Sequence, residues 1–126
     1  MHAIDTNVLV RLITRDEPRQ AASAEAFIQK GAWVSLLALA EAMWVLDAVY
    51  QRNATELATA IEMLLNHREL TLQDSGVVTD ALHLFRSRPA LGFSDCLMVQ
   101  IARNAGHLPL GTFDRALARI DGTAKL

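Results

Sequence analysis

Cysteine is almost absent from this sequence. Cys96 is the only one, which excludes an intramolecular disulfide framework and fits a reducing compartment. A thiol nucleophile is conceivable here, but a small buried hydrophobic residue is the simpler interpretation. Apolar runs long enough to cross a bilayer are missing too, because Ser35 and Glu41 interrupt the most apolar segment, residues 32–46. No signal peptide is visible after Met1, so we expect a cytoplasmic protein without membrane contact.

An excess of positive charge is also lacking. The formal net charge is −2, which gives no basic footprint of the kind that a high-affinity nucleic-acid binder usually shows. A protein of this charge that acts on nucleic acid needs metal ions and local arginines to attract phosphate. Hydrophobic residues make up 52% of the 126 residues and charged residues 21%, which is typical of one globular domain over residues 1–126.

Apolar segments and turn residues predict alternating strands and helices. Short apolar segments predict strands at residues 2–5, 33–35, 69–72 and 108–111. Longer apolar patterns with capping residues predict helices at residues 7–14, 18–30, 36–50, 55–66, 75–86, 94–104 and 114–120. This alternation predicts an α/β fold with a parallel sheet covered on both faces. Ligands of such sheets bind beyond the carboxyl ends of the strands.

Glu41 is the most informative of four acidic residues at unusual positions. It is the only ionisable residue between Leu36 and Leu46, and its neighbours at helical spacing are apolar. We expect it to be buried, and a buried carboxylate is costly unless it is paired, protonated or bound to metal. A salt bridge to Arg11 or Arg103 is the alternative explanation.

The other three acidic residues each have a structural explanation as well. Asp5 ends the first predicted strand and could cap the helix that follows. Asp95 lies in a first helical turn, where the helix dipole favours aspartate, and Ser94 is the expected cap. Capping explains Asp114 about as well as metal binding does.

Convergence of the four carboxylates is what favours a metal site. Helices that follow parallel strands begin on one rim of the sheet, so acidic residues there can meet and would repel one another without a cation. Mg²⁺ or Mn²⁺ suits hard oxygen ligands, whereas no CxxC or HExxH pattern supports zinc. Such a cation can activate water for phosphodiester cleavage.

Basic residues add little to this hypothesis. No scattered histidine stands out as a general base: His2, His67, His83 and His107. Several arginines could contact phosphate, although a solvated helix face explains most of them as well: Arg11, Arg15, Arg86, Arg88 and Arg115.

The acidic residues and their local contexts resemble the PIN-domain ribonucleases, and within them the VapC-type toxins of bacterial toxin–antitoxin pairs. The matching segments cover nearly the whole chain: Asp5-Thr6-Asn7-Val8-Leu9 followed by Arg11-Leu12, the helical Glu41, Phe93-Ser94-Asp95, and Gly106 followed by Thr112-Phe113-Asp114. The resemblance implies a PIN-like three-layer α/β/α fold with a short parallel central sheet. Pro109 departs from the pattern, and it predicts that the strand before Thr112 is short or at a sheet edge.

The resemblance also implies a site and an activity. The metal ligands would be Asp5, Glu41, Asp95 and Asp114, with Thr112 helping to place a water and Thr6 and Asn7 forming the supporting turn. The cofactor would be Mg²⁺ or Mn²⁺, and the activity would be that of an endoribonuclease toxin. Its partners would be an RNA substrate and a cognate antitoxin.

Surplus apolar residues predict interfaces. We expect a homodimer, because the chain carries more large apolar side chains than so small a domain buries easily: Phe27, Trp33, Met43, Trp44 and Phe85. The antitoxin tail would lie in an apolar groove of the first two helices and the helix at residues 36–50, lined by residues such as Leu9, Leu12, Phe27 and Trp44.

Three other functions remain possible on the sequence alone. A receiver-like phospho-accepting domain would also use Mg²⁺, but it needs a carboxylate pair after the first strand and a lysine near the last. A haloacid-dehalogenase-type phosphatase needs a second aspartate where Asn7 stands. A metal-free PIN-like interaction module would show no stabilisation by Mg²⁺.

Overall fold

Six α-helices and five three-residue strands alternate along the chain in a computed structural model that describes all residues from Met1 to Leu126. The strands are β1 (His2–Ile4), β2 (Ala32–Val34), β3 (Leu70–Leu72), β4 (Leu110–Thr112) and β5 (Thr123–Lys125). The helices are α1 (Thr6–Thr14), α2 (Pro18–Ile28), α3 (Leu36–Ala48), α4 (Ala54–Leu65), α5 (Ser75–Ser87) and α6 (Phe93–Ala105). The predicted mixed α/β fold with a short parallel sheet is confirmed.

The chain divides into two compact units, Met1–Ser75 and Gly76–Leu126. The first unit contains β1–β3 and α1–α4. The second contains nearly all of α5, then α6, β4 and β5, with single 3₁₀ turns at Pro89–Leu91 and Leu117–Arg119. No helix is both long enough and apolar enough to cross a membrane.

The sheet of the first unit is fully parallel, in the order β1-β2-β3. Ile4, Val34 and Leu72 share a register position, and all three are buried on one face. The middle residue of each strand lies on the opposite face and is exposed: Ala3, Trp33 and Thr71. Strands of three residues present only one side chain each to that face.

Hydrogen bonds at the carboxyl edge of the sheet fix the starts of two helices. Asp5 follows β1 and accepts from the backbone N–H of Val8 at 3.0 Å, while Ser35 follows β2 and caps α3. Gln73 follows β3; its N–H donates to the carbonyl of Val34, and its Oε1 accepts from the N–H of Leu36. The helix starts therefore lie on the predicted rim of the first unit.

The second unit has its own small core and a two-stranded parallel sheet of β4 and β5. Its core holds Val99, Leu117 and Ile120. The predicted final helix at residues 114–120 was wrong, since only the 3₁₀ turn Leu117–Arg119 forms before the chain enters β5.

Thr123 and Gly122 account for this early end. The hydroxyl of Thr123 bonds to the carbonyls of Leu117 and Ile120, which a continuing helix would use itself. Gly122 turns the chain with φ of +90°, and a Cβ there would meet the guanidinium of Arg103 at 2.9 Å. β4 is only three residues long, which confirms the prediction from Pro109.

Candidate functional site

Asp5 combines a capping role with a free carboxylate oxygen. Its backbone is extended and its Oδ1 accepts from the N–H of Val8, so the capping explanation is confirmed. Oδ2 has no hydrogen-bond partner, and the residue is exposed. Capping therefore leaves one oxygen of Asp5 available for another role.

Glu41 is held by the first residue of α1. The hydroxyl of Thr6 donates a hydrogen bond of 2.7 Å to Glu41 Oε2, across the contact between α1 and α3. This bond leaves Glu41 Oε1 free. Asp5 and Thr6 are neighbours in the chain, so one turn carries one carboxylate and fixes the orientation of another.

Burial of Glu41 was a wrong expectation, because the residue is exposed. Its neighbours Leu37 and Trp44 are 70% and 65% exposed, so the apolar sequence around it reflects a surface rather than a core. The alternative salt bridge is also absent. Arg11 bonds to Asp16 and Tyr50, and Arg103 bonds to Asp121.

Asp95 lies in the first turn of α6 in the second unit and is half-buried. Ser94 is not the cap: the N-cap position is Gly92, which has no side chain to bond the helix. Burial of the Asp95 carboxyl, followed by the nearby charge of Asp114, raises its pKa above the usual range. Asp95 and Asp114 thus repel each other.

Thr112 and Asp114 form a hydrogen-bonded turn after β4. The backbone N–H of Asp114 donates to the Thr112 hydroxyl at 3.0 Å, and Asp114 Oδ1 accepts from the N–H of Leu117 at 2.9 Å. Asp114 is exposed, and its Oδ1 holds the first N–H of the 3₁₀ turn while its Oδ2 has no hydrogen bond. Thr112 fixes the backbone on which this carboxylate stands.

Cys96 is excluded as a nucleophile. Its side chain is fully buried, and burial together with the charge of Asp95 raises the pKa of the thiol to about 11. The expectation of a small buried hydrophobic residue is confirmed.

Two of the four carboxylates lie in each unit, Asp5 and Glu41 in the first and Asp95 and Asp114 in the second. Within neither unit alone do three or more acidic, histidine or cysteine side chains form a metal-binding group. The four histidines are all exposed, and His67 Nδ1 accepts from the N–H of Glu69.

A groove of about 590 Å³ between α1 and α2 opens beside Asp5. We name it the α1–α2 groove; its lining includes Asp5, Asn7, Arg11, Arg19, Ser23 and Phe27. Sequence reasoning missed Arg19. The available signal was its place directly after Pro18, in the first turn of α2.

The arginine assignments are otherwise mixed. Arg15 pairs with Glu25 at 2.6 Å, and this pair agrees with the explanation of a solvated helix face. Arg11 is held by Asp16 and Tyr50 although it lines the α1–α2 groove.

Some residues named for interfaces are not available for them. Met43 and Phe85 are 2% exposed and belong to the core, and Leu9 is completely buried and cannot line a surface groove. Trp44, Phe27 and Trp33 remain exposed to 65%, 47% and 37%.

The fold is an α/β fold with a parallel sheet. Asp5 lies at the carboxyl edge of this sheet, and Thr6 at the start of α1 holds the carboxylate of Glu41 from α3 beside it. The family model for the PIN domain matches residues 3–123, and the chain belongs to this family. PIN domains are generally nucleases, so the general class is that of a phosphodiester hydrolase. No curated protein and no solved structure matches the chain.

Proposed function

We propose that this PIN-domain protein is a Mg²⁺- or Mn²⁺-dependent endoribonuclease, and that Asp5, Glu41, Asp95 and Asp114 together hold the metal. The observation that carries the proposal is the contact between Thr6 and Glu41 beside Asp5. It keeps an exposed carboxylate in one orientation at a sheet edge where α/β proteins bind ligands. An exposed carboxylate with no such task would gain little from being fixed.

The chemistry of the four side chains fits a hard divalent cation. All are carboxylates, and the hydrogen bonds to Asp5, Glu41 and Asp114 each occupy one oxygen and leave the other free. Burial and, second, repulsion by Asp114 raise the pKa of Asp95, and a cation would relieve the repulsion. When bound, the ion would supply an acidified water and charge stabilisation for phosphodiester hydrolysis.

The residues of the chain have separable tasks in this proposal. Thr6 orients Glu41 through its hydroxyl, and Thr112 fixes the turn that carries Asp114. Asn7 supports the turn after β1 and lines the α1–α2 groove. Asp5 Oδ2 and Glu41 Oε1 have no hydrogen bond within the chain and are the oxygens that would bind the metal.

Cleavage of single-stranded RNA is the test. Purified protein should cut it with Mg²⁺ or Mn²⁺, stop on addition of EDTA, and resume when excess metal returns. Glu41→Gln should be inactive, whereas Glu17→Gln should cut like wild type, because Glu17 is an exposed residue without a side-chain hydrogen bond. Cleavage that survives exhaustive chelation would contradict the metal mechanism.

Binding of the metal is tested separately by thermal unfolding. Mg²⁺ should raise the melting temperature of wild type and have little effect on Glu41→Gln, since a ligand that binds only the folded state stabilises it. The absence of any stabilisation by Mg²⁺ or Mn²⁺ would favour a metal-free interaction module.

We further propose that the chain is the toxin of a cytoplasmic toxin–antitoxin pair of the VapC type. Its resemblance to those toxins and the exposed apolar side chains beside Glu41 support this role. A partner that covers Leu37 and Trp44 would bury apolar surface and also close access to Glu41. The antitoxin tail would lie on exposed residues of this kind, together with Phe27 and the half-buried Leu12.

Growth of the host tests the toxin role. Expression of the chain alone should arrest growth, Glu41→Gln should not, and co-expression of the protein encoded directly upstream should restore growth. Normal growth with abundant folded, RNA-cleaving protein would indicate a housekeeping nuclease instead.

A homodimer completes the proposal. Exposed large apolar residues other than Leu37 and Trp44 occur in both units and support self-association: Trp33, Met98, Ile101 and Phe113. Light scattering at micromolar concentration should give twice the mass of the chain, and a monomeric mass would contradict the dimer.

A further inference from the structure

The α1–α2 groove begins at a proposed metal ligand and continues along a surface with unused positive charge. Asp5 lies in its lining, and so do Arg11 and Arg19. Arg11 is paired with Asp16, so the positive charge that favours an anionic occupant is that of Arg19.

Arg19 is the arginine of this groove that is available to a ligand. Its side chain is exposed and takes part in no hydrogen bond or ion pair within the chain. Arg11 is committed to Asp16, to Gln20 and to the hydroxyl of Tyr50. Arg11 thus builds the wall of the groove, whereas the guanidinium of Arg19 is free to contact a phosphate.

Phe27 gives the same groove an aromatic surface. Its ring is 47% exposed although it packs against His2, with the ring centroids 5.0 Å apart and the planes tilted by 35°. His2 restricts the orientation of the ring. A half-exposed, oriented aromatic ring is the type of surface on which unpaired bases stack.

We propose that the α1–α2 groove binds the single-stranded RNA next to the bond that is cut, with Arg19 contacting a phosphate and Phe27 stacking on an unpaired base. The proposal rests on the proposed function, which places the metal at Asp5. Asn7 and Ser23 also line the groove and offer hydrogen bonds to sugar and base. RNA is favoured over a peptide because a free arginine and an exposed aromatic ring match the two repeating parts of a nucleotide.

Binding without cleavage tests the groove independently of the nuclease activity. The probe is a fluorescein-labelled single-stranded RNA of mixed sequence, about 12 nucleotides long, measured by fluorescence anisotropy in EDTA. Arg19→Ala should weaken binding and flatten the plot of log affinity against log salt by about 0.7, the loss of one phosphate contact. Phe27→Leu should weaken binding about fivefold or more and leave the salt slope unchanged.

Matched controls separate these effects from general ones. Arg68→Ala removes an exposed arginine outside the groove, and Val49→Ala shortens an exposed apolar residue outside it. Both should bind like wild type. Circular dichroism should show that Phe27→Leu is folded. On the same RNA in duplex form, Phe27→Leu should bind like wild type, because paired bases cannot stack on the ring.

The outcomes distinguish this proposal from the proposed function. If wild type does not cleave with Mg²⁺ but the two variants still lose affinity, the nuclease function fails and the groove remains an RNA site. Unchanged RNA affinity in both variants overturns the groove proposal. Equal loss by Phe27→Leu on single-stranded and duplex RNA overturns the stacking role.

Discussion

The hydroxyl of Thr6 lies 2.7 Å from Glu41 Oε2 and joins the first residue of α1 to the middle of α3. The two residues are far apart in sequence, yet the contact between α1 and α3 brings them together at the carboxyl edge of the sheet. A hydroxyl that donates to a carboxylate restricts its rotamer and keeps its other oxygen pointing elsewhere. Partners of this kind tune metal ligands without touching the metal.

Loss of the Thr6 hydroxyl should therefore lower metal affinity more than stability. We expect Thr6→Val to bind Mg²⁺ or Mn²⁺ about 10- to 100-fold more weakly, with a loss of about 1 kcal/mol or less in the free energy of unfolding. Titration calorimetry and urea denaturation measure the two effects. Thr6→Ser should restore affinity, and Thr59→Val, whose hydroxyl bonds only to a carbonyl of its own helix, should not change it. Wild-type affinity in Thr6→Val would contradict the positioning role.

Two substitutions at Asp5 should separate its cap from its proposed ligand role. Asparagine caps helices as well as aspartate does, so Asp5→Asn should keep the stability of α1 while abolishing RNA cleavage. Asp5→Ala loses both roles, so it should also abolish cleavage and in addition lower the free energy of unfolding by about 1 kcal/mol. Urea denaturation and the cleavage assay measure these effects, with the exposed Asp47→Asn as control. An active Asp5→Asn would move the metal site elsewhere.

Asp95→Asn should stabilise the metal-free chain near neutral pH. The pKa of Asp95 is raised by burial and by Asp114, so the folded chain holds this proton more tightly than the unfolded chain does. Ionisation of Asp95 then lowers stability as pH rises from the ordinary value of 3.8 through the raised one. The advantage of the variant should shrink as the pH falls, and urea midpoints across a pH series measure it.

Asp80→Asn is the matched control for this series, because Asp80 is an exposed aspartate on α5. The stability of Asp80→Asn should depend on pH as that of wild type does. Saturating Mg²⁺ should reduce the difference in unfolding free energy between Asp95→Asn and wild type. A variant that is less stable than wild type at neutral pH would show that ionised Asp95 stabilises the fold.

Cys96 should resist thiol reagents in the folded protein. Its side chain is inaccessible, and the raised pKa of about 11 leaves little thiolate at neutral pH. Reaction with a chromogenic disulfide reagent should be slow in buffer and fast in urea, and Cys96→Ala should retain RNA cleavage. Rapid labelling of the native chain would mean that α6 opens readily.

Local sequence signals were sufficient for most of the first unit. Asp5, Ser35 and Asn53 cap the helices that they precede, and Asn53 forms a reciprocal capping box with Glu56. Short apolar segments separated by helices correctly predicted parallel strands, because a helical crossover is the usual connection between neighbouring parallel strands. These signals act within a few residues and do not depend on distant packing.

Signals that depend on packing were misread in two places. α3 is apolar on every side, so no periodicity distinguishes its buried face from the exposed face with Leu37 and Trp44, and Glu41 was wrongly expected in the core. The prediction of a helix at residues 114–120 failed for a related reason. Thr123-Ala124-Lys125 has no strand pattern, and it becomes β5 only through its pairing with β4.

Sequence signals could nominate the residues of the candidate site but not their geometry. Asp5 and Glu41 stood out by position, but the bond from Thr6 depends on how α1 meets α3, which no short-range pattern encodes. In the sequence, Arg19 looks like any other surface arginine. Its position in the same groove as Asp5 and Phe27, which only the structure shows, distinguishes it from the others.

Glu41 lies between Leu37 and Trp44 on the exposed face of α3. Because of this placement, access to the carboxylate would depend on how many molecules of this protein have a partner bound at that face. A partner of the kind proposed above that shields these two apolar side chains would also cover the carboxylate between them and leave the molecule inactive. With tight binding, the fraction of molecules with a free Glu41 would follow the ratio of the two proteins rather than the amount of either. If the partner turned over faster than this chain, an interruption of its synthesis would uncover Glu41 after a delay, and the number of uncovered copies would report how long the interruption has lasted.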